Sequence, residues 1–258
     1  MLKGAKKMQV TLKNVTFGKG VPKICVPLTG KDSQTLLAQA QLAATSVCEV
    51  VEWRVDYFTD FSNQSAVLEV LSHLKTALQD KILLFTFRTL KEGGKADLSL
   101  REYQNLYVAV AESGLVDIVD VELERAEFLG RGFLNQLKKQ KTALLLSSHN
   151  FDKTPADGEL VMKLGVMRQF DADFGKIAVM PHSLKDVLRI MGLSQKMQGL
   201  ASVPLILIAM GDLGKITRVA GELMGSVMTF AALEESSAPG QIDITEMSRI
   251  LAALSLEE

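Results

Sequence analysis

The chain has 258 residues, 47% of them hydrophobic, and a formal net charge of -1 at neutral pH, so it can bury a large core. The balanced charge gives no electrostatic case for nucleic acid or an anionic membrane as partner. No signal-like apolar leader is present, and the longest apolar stretch, Val203 to Met210, is too short to cross a bilayer; a protein neither secreted nor membrane-spanning is expected.

In chain order, Lys3, Lys6 and Lys7 read as a solvated tail. Gln9 to Phe17 alternates Val10, Leu12, Val15 and Phe17 around Lys13-Asn14, the pattern of a small hairpin. Eight Val/Ile/Leu-rich runs follow at 23 to 29, 49 to 57, 82 to 88, 116 to 123, 142 to 149, 174 to 181, 204 to 211 and 226 to 233, each about one βα unit from the next. Amphipathic segments lie between them. Ser99 and Glu102 form a capping-box pattern before Tyr103, Leu106, Tyr107 and Val110, and Gly114 stops that helix. Asp243 and Glu246 repeat the pattern ahead of Met247, Ile250, Leu251 and Leu254, one apolar stripe that leaves Glu246 and Arg249 outside.

Eight strands alternating with helices predict a (β/α)8 TIM barrel with a short N-terminal β-hairpin at the barrel base, an open doubly wound sheet being the alternative. No Pro/Gly/Ser linker divides the chain, so residues 1–258 read as a single barrel domain. Cys25 and Cys48, each among valines, suit buried reduced thiols and a cytoplasmic protein.

Charges sit on strands whose outer face should be sheathed by helices. In Val51-Glu52-Trp53-Arg54-Val55-Asp56 the period of two puts Glu52, Arg54 and Asp56 on one face. In a barrel that face points inward, where charges are paired or bound to ligand; for Asp56 a buried salt-bridge layer is as good an account as a ligand. Arg88, followed by Glu92-Gly93-Gly94, and Asp120 and Glu122 continue the pattern.

Phe174-Gly175-Lys176-Ile177-Ala178-Val179-Met180-Pro181 carries one primary amine in an apolar run. With Ile177 and Val179 facing the helices, Lys176, Ala178 and Met180 face the interior. Burial drives lysine toward its neutral, nucleophilic form, which points to a covalent imine; a snorkelling lysine is the bland alternative. Inward Arg54 or Arg88 should help lower its pKa, and Glu52, Asp56, Asp120 and Glu122 should oppose this. His149 ends the fifth run, at the face where barrel enzymes build their sites, and is the natural acid/base partner of Lys176, with Glu92 placed to fix its tautomer. Arg218 follows the glycine-bearing segment Gly211 to Gly214 and suits a carboxylate or a phosphate; Ser237 and Gln241 follow the eighth run.

Glu52-Trp53-Arg54-Val55-Asp56, Phe87-Arg88-Thr89 with Glu92-Gly93-Gly94, Ser148-His149-Asn150-Phe151, Lys176-Ile177-Ala178 and Ser237-Ala238-Pro239-Gly240-Gln241 together resemble type I 3-dehydroquinate dehydratase across nearly the whole chain. The resemblance implies a homodimeric shikimate-pathway barrel that turns 3-dehydroquinate into 3-dehydroshikimate and water with neither metal nor organic cofactor. It implies Lys176 as the imine-forming lysine, His149 as general acid/base, Glu92 as its carboxylate partner and Arg218 as the grip on the substrate carboxylate. Glu52, Arg54 and Arg88 would touch ring hydroxyls and the carbonyl side, and Ser237 and Gln241 would arrive on a closing loop, Ser236 to Gln241. Pro27 departs from the pattern, standing where some relatives carry a serine. A class I aldolase would share Lys176 but act on sugar phosphates, and a non-catalytic barrel would bind an anionic metabolite without turnover.

Overall fold

The computed structural model describes residues 9–197, 203–234 and 237–256; the Lys3, Lys6 and Lys7 tail and Ser236 lie outside them. The barrel strands are β3 (Lys23–Leu28), β4 (Val50–Arg54), β5 (Ile82–Thr86), β6 (Ile118–Glu122), β7 (Ala143–Asn150), β8 (Phe174–Val179), β9 (Leu205–Ala209) and β10 (Met228–Ala232), all parallel and hydrogen-bonded in the order β10-β3-β4-β5-β6-β7-β8-β9. The ring closes between β9 and β10 through a Leu205 to Ser226 bridge, the Val227 N–H donating to the Leu205 carbonyl at 2.9 Å. Each strand leads to a helix: α1 (Ser33–Thr45), α2 (Gln64–Leu78), α3 (Leu100–Ser113), α4 (Leu123–Lys138), α5 (Asp157–Gln169), α6 (Leu184–Met197), α7 (Gly211–Val219) with the short α8 (Gly221–Met224), and α9 (Ile244–Ala253). This is an eight-stranded α/β barrel, not the open sheet.

Two apolar layers follow from the strand period. Val51, Trp53, Val55, Ile177 and Val179 join the layer between sheet and helices, while Cys25, Phe174, Ala178, Ile206, Ile208 and Phe230 fill the interior. β1 (Val10–Leu12) and β2 (Val15–Phe17) pair antiparallel as the expected hairpin. Val10, Leu12, Val15 and Phe17 pack into the interior layer, with Phe17 edge-on to Phe174 at 5.0 Å between centroids, so the hairpin stops the base.

Ser99 and Glu102 form a reciprocal capping box, and Gly114 ends α3 in the left-handed region. At α9 the cap is one-sided. Asp243 accepts from the Thr245 and Glu246 N–H groups, but the Glu246 carboxylate turns to Arg249 at 2.8 Å instead of reaching back. The helix also stops at Ala253, one residue short of Leu254, which is half exposed; Ile244, Met247 and Leu251 supply the buried stripe. Two further differences shape the site. The second strand ends at Arg54 and continues as a 3-10 turn, Val55–Tyr57, and the expected loop after the seventh strand is the first turn of α7. A two-residue strand β11 (Ile242–Asp243), too short for any periodicity to reveal, pairs with β10.

Candidate active site

At the carboxyl ends of the strands lies a cavity of about 520 Å³, counted to its open mouth, which brings together Glu52, Arg54, Arg88, Glu92, His149, Lys176, Arg218, Ser237 and Gln241, every residue to which the family resemblance gives a role. Lys176 is 5% exposed and sits opposite Ser147 in the β7 to β8 register, two residues below His149. Two steps along one strand and one strand across separate their backbones by about 8 Å, and both side chains line the same cavity. Burial pushes the Lys176 pKa below its usual 10.5; Glu52 and Asp120 pull upward against it, and Arg88 adds to the lowering.

His149 has its Nδ1 2.8 Å from Glu92 Oε2, and the same oxygen accepts from the His149 backbone N–H at 3.1 Å and from Arg88 Nη1 at 3.4 Å. The backbone N–H and the Arg88 guanidinium already make Oε2 an acceptor, which favours the ring hydrogen on Nδ1 and leaves the Nε2 lone pair to the cavity. Any proton on Glu92 sits on Oε1. Burial, with help from Arg88 and Lys176, holds the imidazole pKa well below 6.5, so the ring is neutral at rest. Burial and the nearby Glu122 push Glu92 up to about 8.

Glu92 owes its place to the glycines after it. It closes a 3-10 turn, Leu90–Glu92, capped by Gly93 at φ 84°, and a Cβ on Gly93 would lie 2.3 Å from the Phe151 ring. A Cβ on Gly94 would stand 1.8 Å from the Arg88 carbonyl oxygen. Only a chain without side chains at these two positions folds the carboxylate back beneath the imidazole.

The inward charges divide into two groups. Asp56, Asp120 and Glu122 do not line the cavity. Asp56 takes Arg54 in a bidentate pair, Nε and Nη2 both at 2.8 Å. Asp120 takes Arg88 Nη2 at 2.6 Å and Ser147 Oγ, and lies 3.7 Å from Lys176 Nζ. Glu122 receives the Thr89 N–H and hydroxyl at 2.9 and 2.8 Å. These three balance charge, as the salt-bridge account of Asp56 expects. Arg88 borders the cavity but spends its guanidinium on Asp120, Glu122, Glu92 and Ser147, which makes it the hub of the buried network. Glu52 accepts from Thr86 Oγ1 at 2.9 Å. Pro27 is buried opposite Glu52 in the β3 to β4 register and lines no part of the cavity.

Arg218, on α7, is the exception. It is 2% exposed, donates from Nη2 to the Pro239 carbonyl at 2.9 Å, and has no carboxylate within ion-pair distance among the described residues. Its buried Nε has no hydrogen-bond partner there, and burial alone pushes its pKa down to about 10. A buried, uncompensated guanidinium aimed into a cavity fits an anionic ligand. Across from it the Ser237 N–H donates to Gln241 Oε1 at 2.8 Å, and Gln241 Nε2 donates to Ser237 Oγ at 3.1 Å.

Sequence reasoning passed over Phe151, Met210 and Phe230, which complete the wall. Only the inward phase of the eighth strand hinted at Phe230.

The family model for type I 3-dehydroquinase matches residues 24–258. A 3-dehydroquinate dehydratase of Listeria monocytogenes serotype 4a (strain HCC23) is 43% identical over 246 residues, covering 95% of this chain and 98% of its own. The solved type I 3-dehydroquinate dehydratase from Clostridium difficile, with covalent modified comenic acid, superposes with a TM-score of 0.91 at 39% identity, covering 96% of this chain and 98% of that one. The 3-dehydroquinate dehydratase from Geobacillus kaustophilus HTA426 gives 0.92 at 35% identity, covering 95% and 96%.

Proposed function

The chain belongs to the type I 3-dehydroquinase family, and on that premise we propose that Lys176, His149 and Glu92 carry its reaction. That reaction is the dehydration of 3-dehydroquinate to 3-dehydroshikimate through a lysine Schiff base, a step of the shikimate pathway. The neutral Lys176 amine attacks the substrate ketone, the carbinolamine takes one proton from solvent and loses water, and the resulting iminium acidifies the neighbouring carbon; the final hydrolysis returns that proton. His149 Nε2 removes that proton and leaves an enamine. The imidazolium then returns the proton to the departing β-hydroxyl, which leaves as water while the electron pair of the enamine forms the conjugated iminium. Hydrolysis consumes one water, releases product and restores Lys176.

Arg218 pairs with the substrate carboxylate, Glu52 and Arg54 meet ring hydroxyls, and Ser237 and Gln241 cover the ring. Arg88 acts more through the Glu92, Asp120 and Glu122 network than by its own contact. One domain, a homodimer and a cytoplasmic address complete the proposal; two buried free thiols suit a reducing compartment, and sedimentation of the purified chain reads the oligomer.

What carries this reading is a single cavity holding a buried amine, a neutral imidazole and a guanidinium with no carboxylate partner among the described residues. Borohydride added during turnover of 3-dehydroquinate is expected to leave a stable adduct on Lys176, read by peptide mass. An unmodified Lys176 in an active, substrate-saturated sample rules the imine route out.

A further inference from the structure

The Lys176 nitrogen faces a ring as well as charges. Phe230, on β10 and 4% exposed, points into the barrel two strands away from β8, and Lys176 Nζ lies over its ring, 4.0 Å from the centroid. The groups that face Nζ electrostatically are Glu52 from β4, Asp120 from β6, Arg88 from the segment after β5 and Cys25 from β3, with His149 from β7 sharing the cavity. Asp120 forms an ion pair with Nζ at 3.7 Å, and both carboxylates are shared with other donors. Asp120 is held by Arg88 at 2.6 Å and by Ser147, and Glu52 by Thr86 at 2.9 Å. The ring face is a fixed, uncommitted source of negative potential that needs no proton and no counter-ion.

We propose that the π-face of Phe230 is, beside the Asp120 carboxylate, an electrostatic partner of the Lys176 nitrogen, favouring its cationic states over its neutral ones along the reaction. The inference rests on the imine reading above. The nitrogen is neutral as amine and enamine and positive as ammonium and iminium. The step that gains most is expulsion of the β-hydroxyl, where the enamine nitrogen becomes positive as the carbon-oxygen bond breaks. The ring also holds the resting ammonium, so it slows attack slightly while raising the fraction of enzyme present as iminium.

The test replaces Phe230 with mono-, di- and trifluorinated phenylalanine, which keep the ring's shape while draining its negative face; a packing role would not respond. Two readouts are taken on each folded protein. The first is the pH midpoint of Lys176 modification by an amine reagent without substrate, expected to fall stepwise with each fluorine. The second is the borohydride-trapped imine at saturating 3-dehydroquinate together with kcat, expected to fall together by roughly threefold to thirtyfold across the series, with KM moving less. A flat midpoint and flat trapping in proteins that form the wild-type adduct overturn the role of Phe230 alone. If wild type itself gives no Lys176 adduct, the imine reading fails, and the substrate-free midpoints still decide whether the ring holds the cation.

Discussion

Replacing Glu92 by glutamine should make the protein more stable and less active, and both effects should grow with pH. The carboxyl binds its proton at about 8 in the fold, against the ordinary 4.5. A carboxyl with a raised folded pKa adds its full stability below the unfolded value and loses it as pH climbs to the folded one. Between 4.5 and 8 the native state therefore gives up about 1.4 kcal/mol per pH unit, about 5 kcal/mol in all at the upper end. Glutamine has no proton to lose. Glu92→Gln should match wild type near pH 4.5 in urea denaturation and gain progressively to pH 8, less whatever Arg88 forfeits as one of its carboxylate partners becomes neutral. Below pH 8 the glutamine resembles the protonated acid, and its Oε1 can still accept from Nδ1, so the loss of kcat should be small there. Above pH 8 the charged partner of the imidazolium is missing, and the loss should approach about tenfold, the rate equivalent of about 1.4 kcal/mol. A stability difference that does not widen between pH 5 and 8 would refute the reasoning.

His149→Ala should still form the imine, giving a borohydride adduct on Lys176, yet lose about two to four orders of magnitude in kcat, because the proton leaving carbon loses its base and the departing hydroxyl its acid; equal loss of capture and turnover would place His149 in imine formation too. Arg218→Gln should raise KM by roughly 10- to 100-fold with a smaller change in kcat, as expected for one charge-assisted contact of about 1.5–3 kcal/mol. A change confined to kcat in steady-state kinetics would count against carboxylate binding. Gly94→Ala should destabilise the fold by about 2 kcal/mol or more, since its Cβ would stand 1.8 Å from backbone. Gly132→Ala, where a Cβ meets nothing within 4 Å, is the matched control in thermal unfolding.

The barrel was legible because every strand is a short branched-apolar run and every connection a helix, so spacing alone carried the count. The proposed catalytic pair was legible for a related reason: Lys176 and His149 break the apolar rule on strands buried from both sides. What sequence left open depends on neighbours across strands. Asp56 lies on the inward phase of the second run, but whether it meets ligand or Arg54 was decided by the 3-10 turn that folds the carboxylate back onto the guanidinium. Arg88 has the same signature as a ligand-binding arginine, and only the positions of Asp120, Glu122 and Ser147 on adjacent strands show that it is already saturated. Phe230 carries no charge to mark it, and its contact with Lys176 reaches past the intervening strand β9.

The hairpin that stoppers the barrel, with Phe17 wedged against Phe174, makes the reaction chamber a blind alley. Substrate, product and the expelled water share one doorway, so nothing escapes in the order it was made. The water freed beside His149 cannot drain through the far end while a ring blocks the exit. On the proposed imine route, the cavity mouth is then where water leaves after elimination and where it enters for hydrolysis.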